Sequence, residues 1–185
     1  DNEGRGVARH DGKAIFIEGA LPQERVVFSS YRRKPNYELA TASRILAANA
    51  LRVEPRCRHF GICGGYSMQH LGGPVQAADK QRVLQDDLWH IGRMRPEVIF
   101  PAIHGPSWAY RTRARLSVRR VPKKGGVLVG FHEKRSSFIA DMDSCEVLPL
   151  PVSALLPLLR NMIGALSISD RLPQIEVAVG DGVTV

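Results

Sequence analysis

One segment constrains this chain more than any other: Cys57-Arg58-His59-Phe60-Gly61-Ile62-Cys63-Gly64-Gly65-Tyr66-Ser67-Met68-Gln69-His70. Two cysteines six positions apart and an immediate Gly-Gly describe a loop curled around a bulky centre. Glycine accepts the positive-φ turns that aim several thiolates inward. Pro55, Gly61, Gly64, Gly65, Gly72, Gly73 and Pro74 deny regular structure to residues 50–74. A third thiolate would be natural after Gly-Gly, and that position is Tyr66; the remaining cysteine, Cys145, lies far downstream. Three cysteines are an odd and small number for a disulfide scaffold, and in a reducing compartment they more often bind metal or lie buried. Three unrelated core cysteines are the plain alternative. A mixed Cys/His zinc site using His59 or His70 is another, although Cys57 and Cys63 stand too far apart for a zinc knuckle.

Around this loop the 185 residues divide into two modules, with a change of character near residue 50. Before it lie short strands with turn punctuation. Val7-Ala8-Arg9 leads into the His10-Asp11-Gly12-Lys13 turn, Ala14-Ile15-Phe16-Ile17 returns, and Arg25-Val26-Val27-Phe28 precedes a basic stretch, Tyr31-Arg32-Arg33-Lys34. A last strand runs from Tyr37 to Leu46. These strands suggest a small barrel that needs one more strand to close, so the chain is expected to begin inside a domain. After the loop, Ala77, Leu84, Leu88 and Ile91 recur at helical spacing over Val75 to Ile91, which predicts a helix with its apolar stripe in the core. Pro96 to Pro106 is a connection, and Trp108 to Val121 reads as a long strand that Gly125-Gly126 turns into Val127 to Phe131. Ser136 to Asp141 reads as a further strand. Val152 to Leu166 reads as a helix with Pro157 in its first turns, and Gln174 to Val179 and Val183 onward as strands. The chain stops as a hairpin returns, and it is expected to be cut at both ends.

The formal charge is +8, carried more by Arg than by Lys, which favours bidentate contacts to phosphate and makes nucleic acid the leading partner. Arg111, Arg113 and Arg115 alternate on a predicted strand, so their side chains leave one face at a spacing of about 7 Å, a phosphate-tracking row. The competing reading is a solvated edge kept basic against aggregation. Lys123, Lys124, Arg32, Arg33 and Lys34 add basic loops. Trp108, Tyr110, Phe131 and His132 supply rings near the arginines, where unpaired bases stack or a core packs. No run of eighteen apolar residues and no signal-peptide order is present, which points to a cytoplasmic protein without membrane contact. No Ser-His-Asp set, P-loop, GxGxxG or HExxH appears, and no heptad seam predicts a coiled coil.

Two sets of residues carry a family resemblance. Gly4-x-Gly6-Val7-Ala8-Arg9-x-Asp11-Gly12-Lys13 with Phe16-Ile17-x-Gly19-Ala20-Leu21-Pro22-x-Glu24 resembles the core of a TRAM domain, a small RNA-binding β-barrel. The cysteine loop, Trp108 to Ser117, Gly130-Phe131 and Asp143-Ser144-Cys145-x-Val147-Leu148 resemble the central domain of bacterial 23S rRNA (uracil-5-)-methyltransferases that carry an iron–sulfur cluster. The resemblance implies an α+β chain: a partial TRAM/OB-like β-barrel over 1–49, then an α+β central domain over 50–185 holding the cluster loop. It also implies a 4Fe-4S cluster. Cys57, Cys63 and Cys145 match three of the four ligands and Tyr66 stands at the remaining one, so a labile or absent cluster is expected, with a structural role.

In that family a C-terminal Rossmann-like domain methylates C5 of uridine with S-adenosylmethionine: a cysteine thiolate attacks C6 and a carboxylate removes the C5 proton. That domain is not present here, so the chain is expected to be the RNA-recognition part, inactive alone, with 23S rRNA as partner and no catalytic residue of its own. Arg111, Arg113 and Arg115 are the expected RNA contacts, followed by Arg58, His59 and Lys124. The competing classes are a stand-alone RNA-binding module with a degenerate site and a zinc-stabilised nucleic-acid binder.

Overall fold

The computed structural model describes residue 1, residues 3–180 and, by backbone alone, residues 183–184. They form two compact units, Asp1–Pro55 with Ser67–His104, and Arg56–Tyr66 with Gly105–Val185. Each unit holds one four-stranded sheet and one α-helix, an α+β composition.

In the first unit, β1 (Gly6–His10) and β2 (Lys13–Glu18) form an antiparallel hairpin. Asp11 and Gly12 both take positive φ, 47° and 77°, the conformation that matches a tight turn to the twist of its strands. β3 (Arg25–Arg33) and β4 (Tyr37–Ala47) complete the sheet in the order β1-β2-β4-β3, with β2 and β4 parallel. Among the described residues the sheet stays open, with β1 and β3 as its edges, so the expected barrel is not closed. The basic stretch falls within the sheet rather than in a loop, since β3 runs on through Arg33. Its core is small: Ile15, Ile17, Ala20 and Ala40, flanked by Ala8, Val26 and Ala42.

Charge completes what this core lacks. Arg52 meets Glu24 with two short bonds, Nε to Oε1 at 2.6 Å and Nη2 to Oε2 at 2.7 Å, and also donates to the Gly19 carbonyl at 2.6 Å. The backbone N–H groups of Leu21 and Asn49 donate to the same carboxylate at 2.8 and 3.0 Å. The Glu24 side chain is fully inaccessible. Its burial alone would raise the carboxyl pKa, but the Arg52 hydrogen bond and the two backbone donors outweigh burial and lower it from 4.5 to about 2.

Helix α1 (Gly73–His90) starts with Pro74 in its first turn, where a missing N–H costs nothing. Its buried anchor is polar: Gln76 donates through Nε2 to the carbonyls of Leu71 at 2.7 Å and Met68 at 3.0 Å. The expected core stripe is not in the core. Leu84 is 54 % and Ile91 78 % exposed, and the exposure continues through Met94, Val98, Phe100 and Ile103. Periodicity reports that an apolar face exists, not that this chain covers it. The helix folds with the first unit, although its place in the sequence assigns it to 50–185.

The second unit is built on β5 (Arg113–Val121), β6 (Gly126–Gly130), β7 (Gln174–Gly180) and β8 (Val183–Thr184), all antiparallel in the order β6-β5-β7-β8. Leu116 and Val118 face inward and Arg115 and Arg119 outward, the period-two alternation of a half-buried strand. A 3-10 turn over Pro122–Lys124 hands the chain to Gly125 and Gly126 at φ 83° and 124°, values that a side chain would strain. Helix α2 (Leu150–Gly164) packs on β6, and Val152, Leu156 and Ile163 join Leu116, Val129, Met142 and Leu148 in one buried cluster.

Three further expectations are corrected. The long strand starts at Arg113, not Trp108, because the Ala109 and Arg111 N–H groups donate to the carbonyls of Glu146 and Val147, both at 2.9 Å. Ser136 to Asp141 makes only an isolated bridge, His132 to Ile139. Pro157 lies inside α2, not in its first turns. The hairpin return after Gly180 is seen in the pairing of β7 with β8; Asp181, Gly182 and Val185 lie outside the described residues.

Candidate RNA interface and cysteine site

The cysteine loop belongs to the second unit and is fastened to the turn after β6. The Gly64 N–H donates to the His132 carbonyl at 2.9 Å, and the Lys134 N–H donates to the Ile62 carbonyl at 2.7 Å. Cys63 and Cys145 come together at the edge of the apolar cluster, within electrostatic reach of each other and of Cys57. None of the three is in a disulfide. Burial pushes the Cys63 and Cys145 thiols up; the N–H of Gly65, 3.3 Å from the Cys63 sulfur, opposes this only in part.

Two ion pairs bracket the cysteines. Arg56 pairs with Glu146 at 2.8 Å and Arg58 with Asp143, so the residues on either side of Cys57 hold acidic residues on either side of Cys145. The sequence carries no sign of this clamp except charge itself: Arg-Cys-Arg in one loop, and Asp and Glu flanking the other cysteine. Arg58 is thus already answered by a carboxylate, as Arg115 is by Glu176. His59 lies beside Arg58, its pKa lowered by burial first and by the Arg58 charge second.

A 4Fe-4S cluster takes four thiolates, and this chain presents three. The Tyr66 ring stands edge-to-face to Trp108, with centroids 5.9 Å apart, and to Tyr110, 6.4 Å away. Among the described residues no three His, Cys, Asp or Glu side chains are gathered closely enough to hold a metal ion. The donor set therefore does not complete a four-thiolate cage.

The arginine row divides. Arg113 and Arg115 leave the outer face of β5 together and line a shallow groove of about 450 Å³ with Glu176, Val177 and Ala178. Arg115 is answered across the sheet by Glu176 at 3.0 Å, while Arg119 continues the same exposed face. Arg111 is not in this row. It precedes the strand, turns over the Phe131 ring at 5.2 Å, donates to the Gly65 carbonyl at 3.1 Å and acts on Cys63 and Cys145 as a nearby positive charge. Lys124 sits exposed at the β5–β6 turn.

A curated 23S rRNA (uracil(1939)-C(5))-methyltransferase from Aromatoleum aromaticum is 64% identical over 98% of this chain, and its counterpart from Azoarcus is 63% identical over all of it. By sequence, the chain is similar over nearly its whole length to part of these 23S rRNA (uracil-C5)-methyltransferases. It spans about two-fifths of those relatives' length, 42% and 43% respectively. No family model matches it. Among solved structures, a Pyrococcus abyssi tRNA (uracil-54, C5)-methyltransferase in complex with S-adenosyl-L-homocysteine matches 97% of this chain and 44% of its own, with a TM-score of 0.62 and 22% identity, a likeness of fold. No helix among the described residues is long and apolar enough to cross a membrane. At this site the residues that sequence reasoning missed are Arg56, Asp143 and Glu146, whose pairings join positions some 90 apart and leave no local pattern.

Proposed function

We propose that this chain is the RNA-recognition part of an S-adenosylmethionine-dependent 23S rRNA 5-methyluridine methyltransferase. The observation that carries the reading is the 64% identity over nearly the whole chain to a methyltransferase of that name. The structure supports it with a basic strand face, Arg113, Arg115 and Arg119, set on a rigid antiparallel sheet. In this reading residues 1–49 carry the barrel-type module and 50–185 the cysteine-bearing one, and the methyl transfer belongs to the further length that the relatives have. The role of these residues is to hold phosphate and orient the strand. Arg113 is the leading contact, Arg115 and Lys124 assist, Arg58 and His59 border the site, and Arg111 supports from behind through Gly65. Cys63 and Cys145 are not assigned nucleophilic attack, since burial raises their thiol pKa and so lowers the share of thiolate that attack needs. Cys57, Cys63 and Cys145 are the residues that would hold an iron–sulfur group, with Tyr66 leaving one corner without a thiolate; iron and acid-labile sulfide per chain after anaerobic purification test that part.

The test of the main reading is binding to a 23S rRNA fragment at several salt concentrations. Replacing Arg113 and Arg115 by Ala should weaken binding and reduce the salt slope by about 1 to 2. An unchanged slope returns the row to a solvated sheet face. Methyl transfer to rRNA by residues 1–185 unaided would overturn the division of labour.

A further inference from the structure

We propose that Tyr66, Trp108 and Tyr110 form a stacking site for one unpaired nucleobase of a bound RNA strand. This rests on the reading that the chain binds RNA. It adds a contact of a different kind, made to the base and not to the phosphate.

The three rings are arranged in depth. Tyr66 packs against the apolar cluster of the second unit, and Trp108 and Tyr110 stand edge-to-face on its outer side at 5.9 and 6.4 Å, with interplanar angles of 65° and 87°. Arg56 lies over the Trp108 ring, so the exposed Tyr110 ring is the one that offers a face to a flat π-system. Tyr110 is 41 % exposed, so the outermost ring is reachable from solvent. The segment that presents Trp108 and Tyr110 is fixed at both ends. Ala109 takes φ 53°, a costly conformation for a residue with a side chain, and the N–H groups of Ala109 and Arg111 are held by the carbonyls of Glu146 and Val147. A rigid aromatic pair loses little freedom on binding, as a stacking platform requires.

The charges around the rings select the ligand. An aromatic cage suits a cation such as a quaternary ammonium only where no positive charge competes. Here the Arg56 guanidinium already lies 5.5 Å from the Trp108 ring centre, held by Glu146, and Arg111 follows Tyr110 directly. A cationic ligand would find the Trp108 face already taken by a guanidinium. A neutral base is favoured, because stacking on a ring face asks for no further charge at the site. Tyr66 thereby acquires a role of its own. Where the family resemblance calls for a thiolate, this chain places the inner wall of the stack.

The test uses Trp108 as its own reporter. Trp89 is the other tryptophan, so Trp89→Phe leaves Trp108 as the sole emitter. A fluorescein-labelled single-stranded RNA of about ten nucleotides, and the same strand made without bases, are titrated against this protein. Anisotropy reads binding, and Trp108 emission with unlabelled strands reads stacking. The expected result is quenching by the base-bearing strand and none by the abasic one. Tyr110→Ala should lower affinity about ten-fold with the salt slope unchanged, and Tyr110→Phe should restore it. If RNA binds while Trp108 emission is constant and Tyr110→Ala binds as tightly, the stacking site is overturned and the arginine reading stands. If neither strand binds, the RNA-recognition reading falls and the stacking site with it. Because Tyr110 is exposed, the variant's unchanged melting temperature serves as the folding control.

Discussion

The two units solve the same problem, holding a four-stranded sheet together, with different chemistry. In the first, Ile15, Ile17, Ala20 and Ala40 bury modest apolar area, and the loop after β4 is tied back to the sheet by Glu24 and Arg52. In the second, Leu116, Val129, Met142, Leu148, Leu156 and Ile163 interlock as large side chains, and the ion pairs lie around the rim at Arg56, Arg58, Arg115 and Arg160. A buried pair is directional and depends on protonation; an apolar cluster is neither. The first unit should therefore fail through charge and the second through lost volume.

The sharpest break is Arg52→Ala. It leaves the inaccessible Glu24 carboxylate without its partner, and breaking a buried pair in this way costs about 4 kcal/mol. Residue-resolved hydrogen exchange should show β2 and β4 losing protection while β5 and β6 keep theirs; equal loss in both sheets would end the contrast. The reciprocal change, Leu156→Ala, removes a side chain that is 0 % exposed and should cost the second unit about 3 kcal/mol. Protection of β5 and β6 should drop with that of β2 and β4 intact. Acid is the mildest probe. The Glu24 pKa is lowered from 4.5 to about 2, so its contribution is complete above pH 4.5 and is lost as pH falls toward 2. That amounts to no more than roughly 3 kcal/mol. The first unit should loosen across that window in the wild type and not further in Glu24→Gln, which is already weakened at neutral pH. A wild-type first unit indifferent to acid would show that the hydrogen bonds and not the charge hold it.

What could be read from the sequence follows the range of the interaction. The β1–β2 hairpin was legible because Asp11-Gly12 is a local turn signal, and α1, α2 and β7 because periodicity is local too. Arg52 and Glu24 lie 28 positions apart and carry no pattern that marks them as partners. Arg111 shows the same limit at closer range. Alternation with Arg113 and Arg115 puts it on a strand, but Val147 captures its backbone first and turns the side chain toward Gly65 and Phe131. The apolar face of α1 was legible as a face and not as to its cover. At the candidate site the cysteines and Tyr66 announced themselves by spacing, while the rings that Tyr66 meets come from more than 40 residues away.

The position of β4 between β2 and β3 imposes an order of assembly on a growing chain. The β1–β2 hairpin emerges before β3 and β4, and a lone two-stranded hairpin is marginal in water. Its parallel neighbour is not β3 but the strand after it, so β2 must wait until Tyr37 to Thr41 exist before Ala14 to Glu18 find their register. By then β3 and β4 are free to close on each other as a local antiparallel pair. Among the described residues the nascent sheet is thus joined by the meeting of two finished hairpins, and synthesis sets a clock on it: β2 finds its parallel partner only once β4 has been made.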